Sequence, residues 1–216
     1  MMLPPVILSD PILDQARLWV EECRRRWRDG GDYPQVGEAS LVSPVDGQTR
    51  RVVLHLAGGF SVKAKTFVGV RSETGAVVGA GNTVVLNRHL IGPTDSLRLI
   101  LLHELTHAVD PCFEEDFERL NPGGRAAGRL GAVEQYYLAS EQRAFPAMWI
   151  EDLREDLGRG HYRNPGASIA MYRQRSAEFR GFLDHTPDLA DQTREHFRLI
   201  VEDLVRREAV RGNSQP

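Results

Sequence analysis

Cysteine, lysine and long apolar runs are all scarce in this chain of 216 residues. The only cysteines, Cys23 and Cys112, stand far apart, which excludes a disulfide framework of the kind that stabilises small secreted domains. No apolar run approaches the length of a transmembrane helix, and the first residues lack the positive charge of a secretory signal peptide. We therefore expect no membrane partner, and a location that is cytoplasmic or reached without a conventional signal peptide.

An excess of charge of one sign is also missing, because the formal net charge is only −3. Proteins that bind nucleic acid concentrate Lys and Arg on one face, and the one Arg-rich run, at residues 24–28, has acidic neighbours. The composition therefore predicts no nucleic-acid partner. The length is typical of a single domain, which we expect over residues 1–216; the oligomeric state is left open.

The most informative motif that is present is the pentad His103-Glu104-Leu105-Thr106-His107. Residues four apart lie on the same face of a helix, so His103 and His107 can both point at one metal ion. Glu104 lies beside them and can reach a water molecule at that ion. Two imidazoles, a carboxylate and an activated water are the working parts of a zinc hydrolase.

The surroundings of the pentad favour this interpretation over a chance match. Gly92 and Pro93, followed by two good N-cap residues, predict a helix that begins near residue 93 and ends near residue 110, before Pro111. Apolar residues cover almost every face of this helix, which is the pattern of a buried helix. Histidine and glutamate are costly to bury without partners. The alternative is a metal-free helical scaffold in which hydrogen bonds satisfy two core histidines.

The segment HELTHAVD, residues 103–110, resembles the active-site helix of the zincin metallopeptidases and of their gluzincin branch in particular. This resemblance implies one Zn²⁺ per chain, with His103 and His107 as ligands and Glu104 as the general base. The metzincin pattern does not fit, because it requires a third histidine where this chain has Phe113.

A catalytic zinc site needs a third protein ligand and leaves its fourth position open. The segment around Glu141 is similar to the second motif of gluzincin-like peptidases, including phage-type and ImmA-like ones, in which a glutamate completes the site. Glu134 is a competitor on the same stretch. Asp110 is another, because residues 103, 107 and 110 share one helical face, although its place at the helix end favours a supporting or helix-terminal role.

A donor for the developing oxyanion is the remaining catalytic part. Gluzincins often use a tyrosine or histidine for this purpose, and Tyr136, Tyr137, His161 and Tyr162 are available. Tyr137 is the preferred candidate, because it stands one helical turn before Glu141 if both lie on one helix. A half-buried structural tyrosine is the alternative.

The order of the elements predicts an α+β fold of zincin-like layout. We expect an N-terminal helix within residues 1–30, a small, mostly antiparallel sheet over residues 50–90, the metal helix at 93–110 and a helical part over 133–210. The glycine-rich residues 112–132 are expected to form a loop that could cover the site. By resemblance to zincins, residues 83–87 are the expected edge strand for an extended peptide.

The sequence therefore predicts a zinc peptidase that acts on a peptide or protein substrate. A zincin-like module that binds metal without catalysis is one alternative, and a hydrolase of non-peptidic amides is another, because fold and pentad do not choose a substrate.

Overall fold

The computed structural model describes residues 6–29, 35–58, 63–72, 74, 76–92, 96–120 and 138–158, together with positions 199 and 202. Its elements, in chain order, are α1 (Asp10–Asp29), β1 (Gln35–Val42), β2 (Thr49–Ala57), β3 (Ala64–Arg71), β4 (Val77–Asn87), α2 (Ser96–Val109), α3 (Pro111–Leu120) and α4 (Ala139–Gly158). This order confirms the predicted α+β class, with a sheet before the helix that carries His103 and His107. Most of the helical part expected over 133–210 lies outside the described residues.

The four strands form one mixed sheet in the order β1-β2-β4-β3. The pairs β1–β2 and β3–β4 are antiparallel, whereas β2 and β4 run parallel. The sheet is thus mostly antiparallel, as predicted, but it begins earlier than residue 50, because β1 was not expected. Residues in the second half of β4 are buried without alternation, as is usual for a central strand with both faces covered.

The expected edge strand is wrong. Residues 83–87 belong to β4, which hydrogen-bonds to β2 on one side and to β3 on the other. The strand at this edge of the described sheet is β3, whose burial pattern is mixed rather than continuous. An unbroken apolar run such as Val84-Val85-Leu86 is typical of an interior strand, and the expectation of an edge strand at residues 83–87 did not take this signal into account.

The helix α2 packs against the sheet and is enclosed by α1 and α4. Leu97, Leu101 and Leu105 are fully buried and join the sheet residues Leu54 and Leu86 in the core. This burial confirms that the helix is internal, so its polar side chains must find partners inside the protein. No helix in the described ranges has the length and apolar character needed to cross a membrane.

The expected loop at residues 112–132 is wrong for its first part, since α3 occupies Pro111–Leu120. Proline is favoured at the first position of a helix, where its missing N–H is not needed. Asp110 precedes it, and the Asp110 carboxylate accepts a hydrogen bond of 3.1 Å from the Cys112 N–H, as an N-cap residue does. The same Pro111 that ends α2 therefore begins α3. Residues 121–137 lie outside the described part of the chain.

Candidate metal centre

The helix α2 brings the two histidines of the pentad together. Backbone hydrogen bonds place His103 and His107 one turn apart, and their Nε2 atoms are 3.1 Å from each other. The end of this helix is held by the sheet, because the Asn82 side chain on β4 donates a hydrogen bond of 2.8 Å to the carbonyl oxygen of Ala108. The position of both rings is thereby tied to the core.

Glu141 reaches the same point from α4, where it lies in the first helical turn. Its Oε2 atom is 3.1 Å from Nε2 of His103 and 3.5 Å from Nε2 of His107. The helix continues through Pro146, so the proline does not begin a new helix there. The packing of α4 against α2 brings together residues that are distant in the sequence.

The group formed by His103, His107 and Glu141 could hold a metal ion. Ligand atoms bound tetrahedrally to zinc at about 2.0–2.1 Å are separated by roughly 3.3 Å. The three separations of 3.1, 3.1 and 3.5 Å match that value closely. Two imidazole nitrogens and one carboxylate oxygen are also a donor set suited to zinc. The residues present therefore fit the ion that the sequence predicts.

The three side chains of the group are largely shielded from water, so their charges act strongly on one another. Burial raises the pKa of Glu141, but the charges of His107 and His103 outweigh burial and hold that pKa well below its usual range. Burial lowers the pKa of His107, but the charge of Glu141, aided by Glu104 and Asp110, raises it above the usual value. Negative charge thus predominates around the histidines, which favours a cation.

Glu104 is buried beside the two histidines, and its side chain is held by the sheet. The Thr66 hydroxyl on β3 lies 2.7 Å from Oε2 of Glu104 and 3.1 Å from its backbone carbonyl oxygen. Thr66 is itself buried, so this contact is shielded from water. The pairing fixes the orientation of the Glu104 carboxylate next to the two histidines.

The other candidates for the third ligand have different surroundings. Asp110 is fully buried, and its Oδ2 atom lies 2.6 Å from Nε of Arg143, in contact as opposite charges rather than as an aligned hydrogen bond. Its other oxygen accepts from the Cys112 N–H. Asp110 therefore has the helix-terminal role that its place in the sequence favoured. Glu134 lies outside the described residues.

The predicted oxyanion donor remains a prediction. Tyr137, like the other candidates Tyr136, His161 and Tyr162, lies outside the described residues.

Two aromatic rings, for which the sequence predicts no role at the site, flank the histidines. The ring of Phe145 lies 4.6 Å from that of His103, and the ring of Phe113 lies 5.0 Å from that of His107, between ring centres. Phe145 stands one turn after Glu141 and Phe113 stands in the first turn of α3, so both follow from elements already named. These contacts reduce the space into which the imidazoles could rotate.

Comparison with known proteins found no match for this chain among protein-family models, curated proteins or solved structures. What is known of the site therefore comes from its own geometry: two histidines on a buried helix, a glutamate from a second helix, and a second carboxylate alongside.

Proposed function

We propose that this protein is a zinc-dependent peptidase of the gluzincin type. The observation that supports it is the convergence of His103, His107 and Glu141 with separations suited to zinc, while Glu104 lies next to them and outside the ligand set. A purely structural site is closed by four protein ligands, whereas a catalytic site keeps one position open. Among the described residues, three donors with a neighbouring carboxylate outside their group correspond to the second arrangement.

Each residue of the site has a separate role in the proposed reaction. His103, His107 and Glu141 would hold the ion, which supplies a Lewis acid that makes water acidic enough to ionise near neutral pH. Glu104 accepts the proton of the attacking water and then delivers it to the leaving amine nitrogen. The hydrogen bond from Thr66 keeps the Glu104 carboxylate in one orientation during both proton transfers.

The strand β3 supports a peptide as the substrate. It forms an edge of the described sheet, and its residue Thr66 contacts Glu104 directly. An extended peptide that added to this edge would gain backbone hydrogen bonds regardless of its side chains, and it would pass beside the general base. A compact non-peptidic amide would make no use of such an edge.

The test compares wild type with Glu104→Gln, with Glu21→Gln on the exposed surface of α1 as the matched control. Zinc per chain and cleavage of a proteome-derived peptide library are measured on the same preparations. We expect all three proteins to bind one zinc and Glu104→Gln to lose activity by on the order of 10²- to 10⁴-fold. Retained activity in pure Glu104→Gln would remove Glu104 from its role. A zinc-loaded wild type that cleaves no peptide would instead favour a binding module.

A further inference from the structure

A buried ion pair joins the two helices that carry the metal ligands. Asp110 immediately follows α2, and Arg143 stands two residues after Glu141 on α4. Their side chains approach to 2.6 Å and are only 0 % and 5 % exposed, respectively. Opposite charges that are buried this deeply depend on each other, because removing one leaves the other uncompensated. The pair therefore restricts where α4 can lie relative to α2.

The Asp110 carboxylate makes a second contact through its other oxygen, Oδ1. It accepts the Cys112 N–H at the start of α3, while the Asp110 carbonyl oxygen accepts the Phe113 N–H at 3.1 Å. One residue thus ends the first ligand helix, begins α3 and contacts the second ligand helix. Its position is determined by three elements at once.

A second acidic residue, Asp116 on α3, binds the same turn of α4. The Oδ2 atom of Asp116 accepts hydrogen bonds from Ser140, at 2.9 Å from the backbone N–H and at 2.7 Å from the hydroxyl. Asp116 is buried, and a carboxylate at a helix N-terminus is stabilised by the unpaired N–H groups there. Ser140 and Arg143 stand on either side of Glu141 in the sequence, so both acidic residues act on its turn.

We infer that Asp110 and Asp116 are positioning residues for Glu141. This inference rests on the proposed function, in which Glu141 is the third metal ligand. The first turn of a helix frays unless its N–H groups and its ends are held. Glu141 belongs to such a turn, and a ligand there would drift from the histidines without external support. Asp110 and Asp116 supply that support by binding the neighbouring residues Arg143 and Ser140, and neither belongs to the group that could hold the ion.

The test is a double-mutant cycle on zinc affinity, read by titration against competing chelators without any turnover. Asp110→Asn is suitable because asparagine still caps a helix and removes only the charge. We expect it to weaken zinc binding by roughly 10- to 100-fold when Glu141 is present, the range seen for residues that support metal ligands. In a Glu141→Ala background the same change should have little further effect, since Asp110 acts through Glu141.

Arg98→Gln is the matched control, because the ion pair of Arg98 with Glu155 joins the same two helices away from the ligands. It should leave zinc affinity unchanged in both backgrounds. Arg143→Gln, which removes the positive charge, should weaken zinc binding. Arg143→Lys, which preserves the charge, should weaken it less. If circular dichroism shows that Asp110→Asn is unfolded, the cycle is run with Asp116→Ala, which removes the acceptor that binds Ser140.

The Co²⁺ absorption spectrum provides a second measurement, because it reports the ligand set directly. We expect the spectrum of Asp110→Asn to move toward that of Glu141→Ala, and that of Arg98→Gln to match wild type. Equal losses of affinity in the two backgrounds would overturn the positioning role, as would a wild-type spectrum in Asp110→Asn. Zinc binding without peptidase activity would defeat the proposed function alone, whereas a wild type that binds no zinc would defeat both.

Discussion

The hydroxyl of Thr66 lies 2.7 Å from the Oε2 atom of Glu104, and both side chains are buried. This contact joins the edge strand β3 to the helix that carries the pentad. A free carboxylate beside two histidines could rotate toward them and occupy the position needed by water. The Thr66 hydroxyl holds one of its oxygens and so keeps Glu104 apart from the ligand set.

Replacing Thr66 by valine should therefore lower kcat while zinc content stays at one per chain. Valine has nearly the same shape but leaves the Glu104 carboxylate without its donor, which costs about 1–3 kcal/mol, or roughly 5- to 150-fold in rate if the loss falls on the transition state. Thr83→Val is the matched control, because the hydroxyl of Thr83 is also buried and bonds only to the backbone of β3. Equal kcat values for the two variants would contradict the role of Thr66.

Replacing Glu141, the proposed third ligand, should abolish tight metal binding. We expect Glu141→Ala, purified without added metal, to lose most of its zinc in elemental analysis, since two imidazoles alone leave the site incomplete. Glu134→Ala, which changes the competing glutamate, should retain one zinc per chain. The reverse pattern would transfer the ligand role to Glu134.

Zinc affinity should fall steeply as the solution is acidified. Zinc binds the neutral imidazole, so protons compete with the metal, and competition begins at the pKa of the metal-free site. The Glu141 charge raises the pKa of His107 above its usual value of about 6.5. Because this raised pKa lies above about 6.5, we expect affinity to begin to decline before the pH has fallen to about 6.5, by up to about tenfold per pH unit for each proton displaced. Affinity that is constant from about pH 8 to 6 would contradict this.

The metal-free protein should show the opposite trend at neutral pH. A raised pKa means that the folded state binds the His107 proton more tightly than the unfolded state does, so this contribution is complete below about pH 6.5 and is lost as pH rises through the folded pKa. The lowered pKa of Glu141 adds stability above about pH 4.3 that is lost on further acidification. The contribution of this pair to the free energy of unfolding, measured with urea on chelator-treated protein, should therefore be greater at about pH 5.5 than at about pH 8.5. At about pH 5.5 the contributions of both residues are present. Glu141→Gln should remove most of that difference.

Gly81 should tolerate no side chain, because β4 passes very close to β2 at this residue. Its φ is 121°, and a Cβ atom there would lie 2.3 Å from the carbonyl oxygen of Arg51. Gly81→Ala should therefore lower the free energy of unfolding by more than about 3 kcal/mol. Gly47, with φ of 70° and open space around it, is the control and should lose only about 1 kcal/mol. Similar losses of unfolding free energy at both positions would contradict this prediction, because they would show that β2 and β4 can move apart at Gly81 at little cost.

The part of the fold closest to the pentad could be predicted well from the sequence. The observed α2, Ser96–Val109, lies within the expected range, and its burial follows from apolar residues on nearly every face. The helix α3 was missed because Pro111 was interpreted only as a stop signal, although proline also favours the first turn of a helix. The edge was assigned to β4 rather than β3 because strand order depends on pairing between distant segments, which local periodicity does not report.

The sequence by itself determined that His103 and His107 share a helical face with Glu104 beside them. That relationship depends only on backbone hydrogen bonds within one turn, so spacing alone is sufficient. The choice of Glu141 over Asp110 needed the tertiary structure, because it depends on how α4 packs against α2 and on which partner each buried charge finds. Only the packed structure showed that Asp110 is engaged by Arg143 and α3, that Thr66 holds Glu104, and that β3 forms the edge beside it. Contacts between segments distant in the chain are decided by the burial of apolar surface and the pairing of charges, and neither is visible in local spacing.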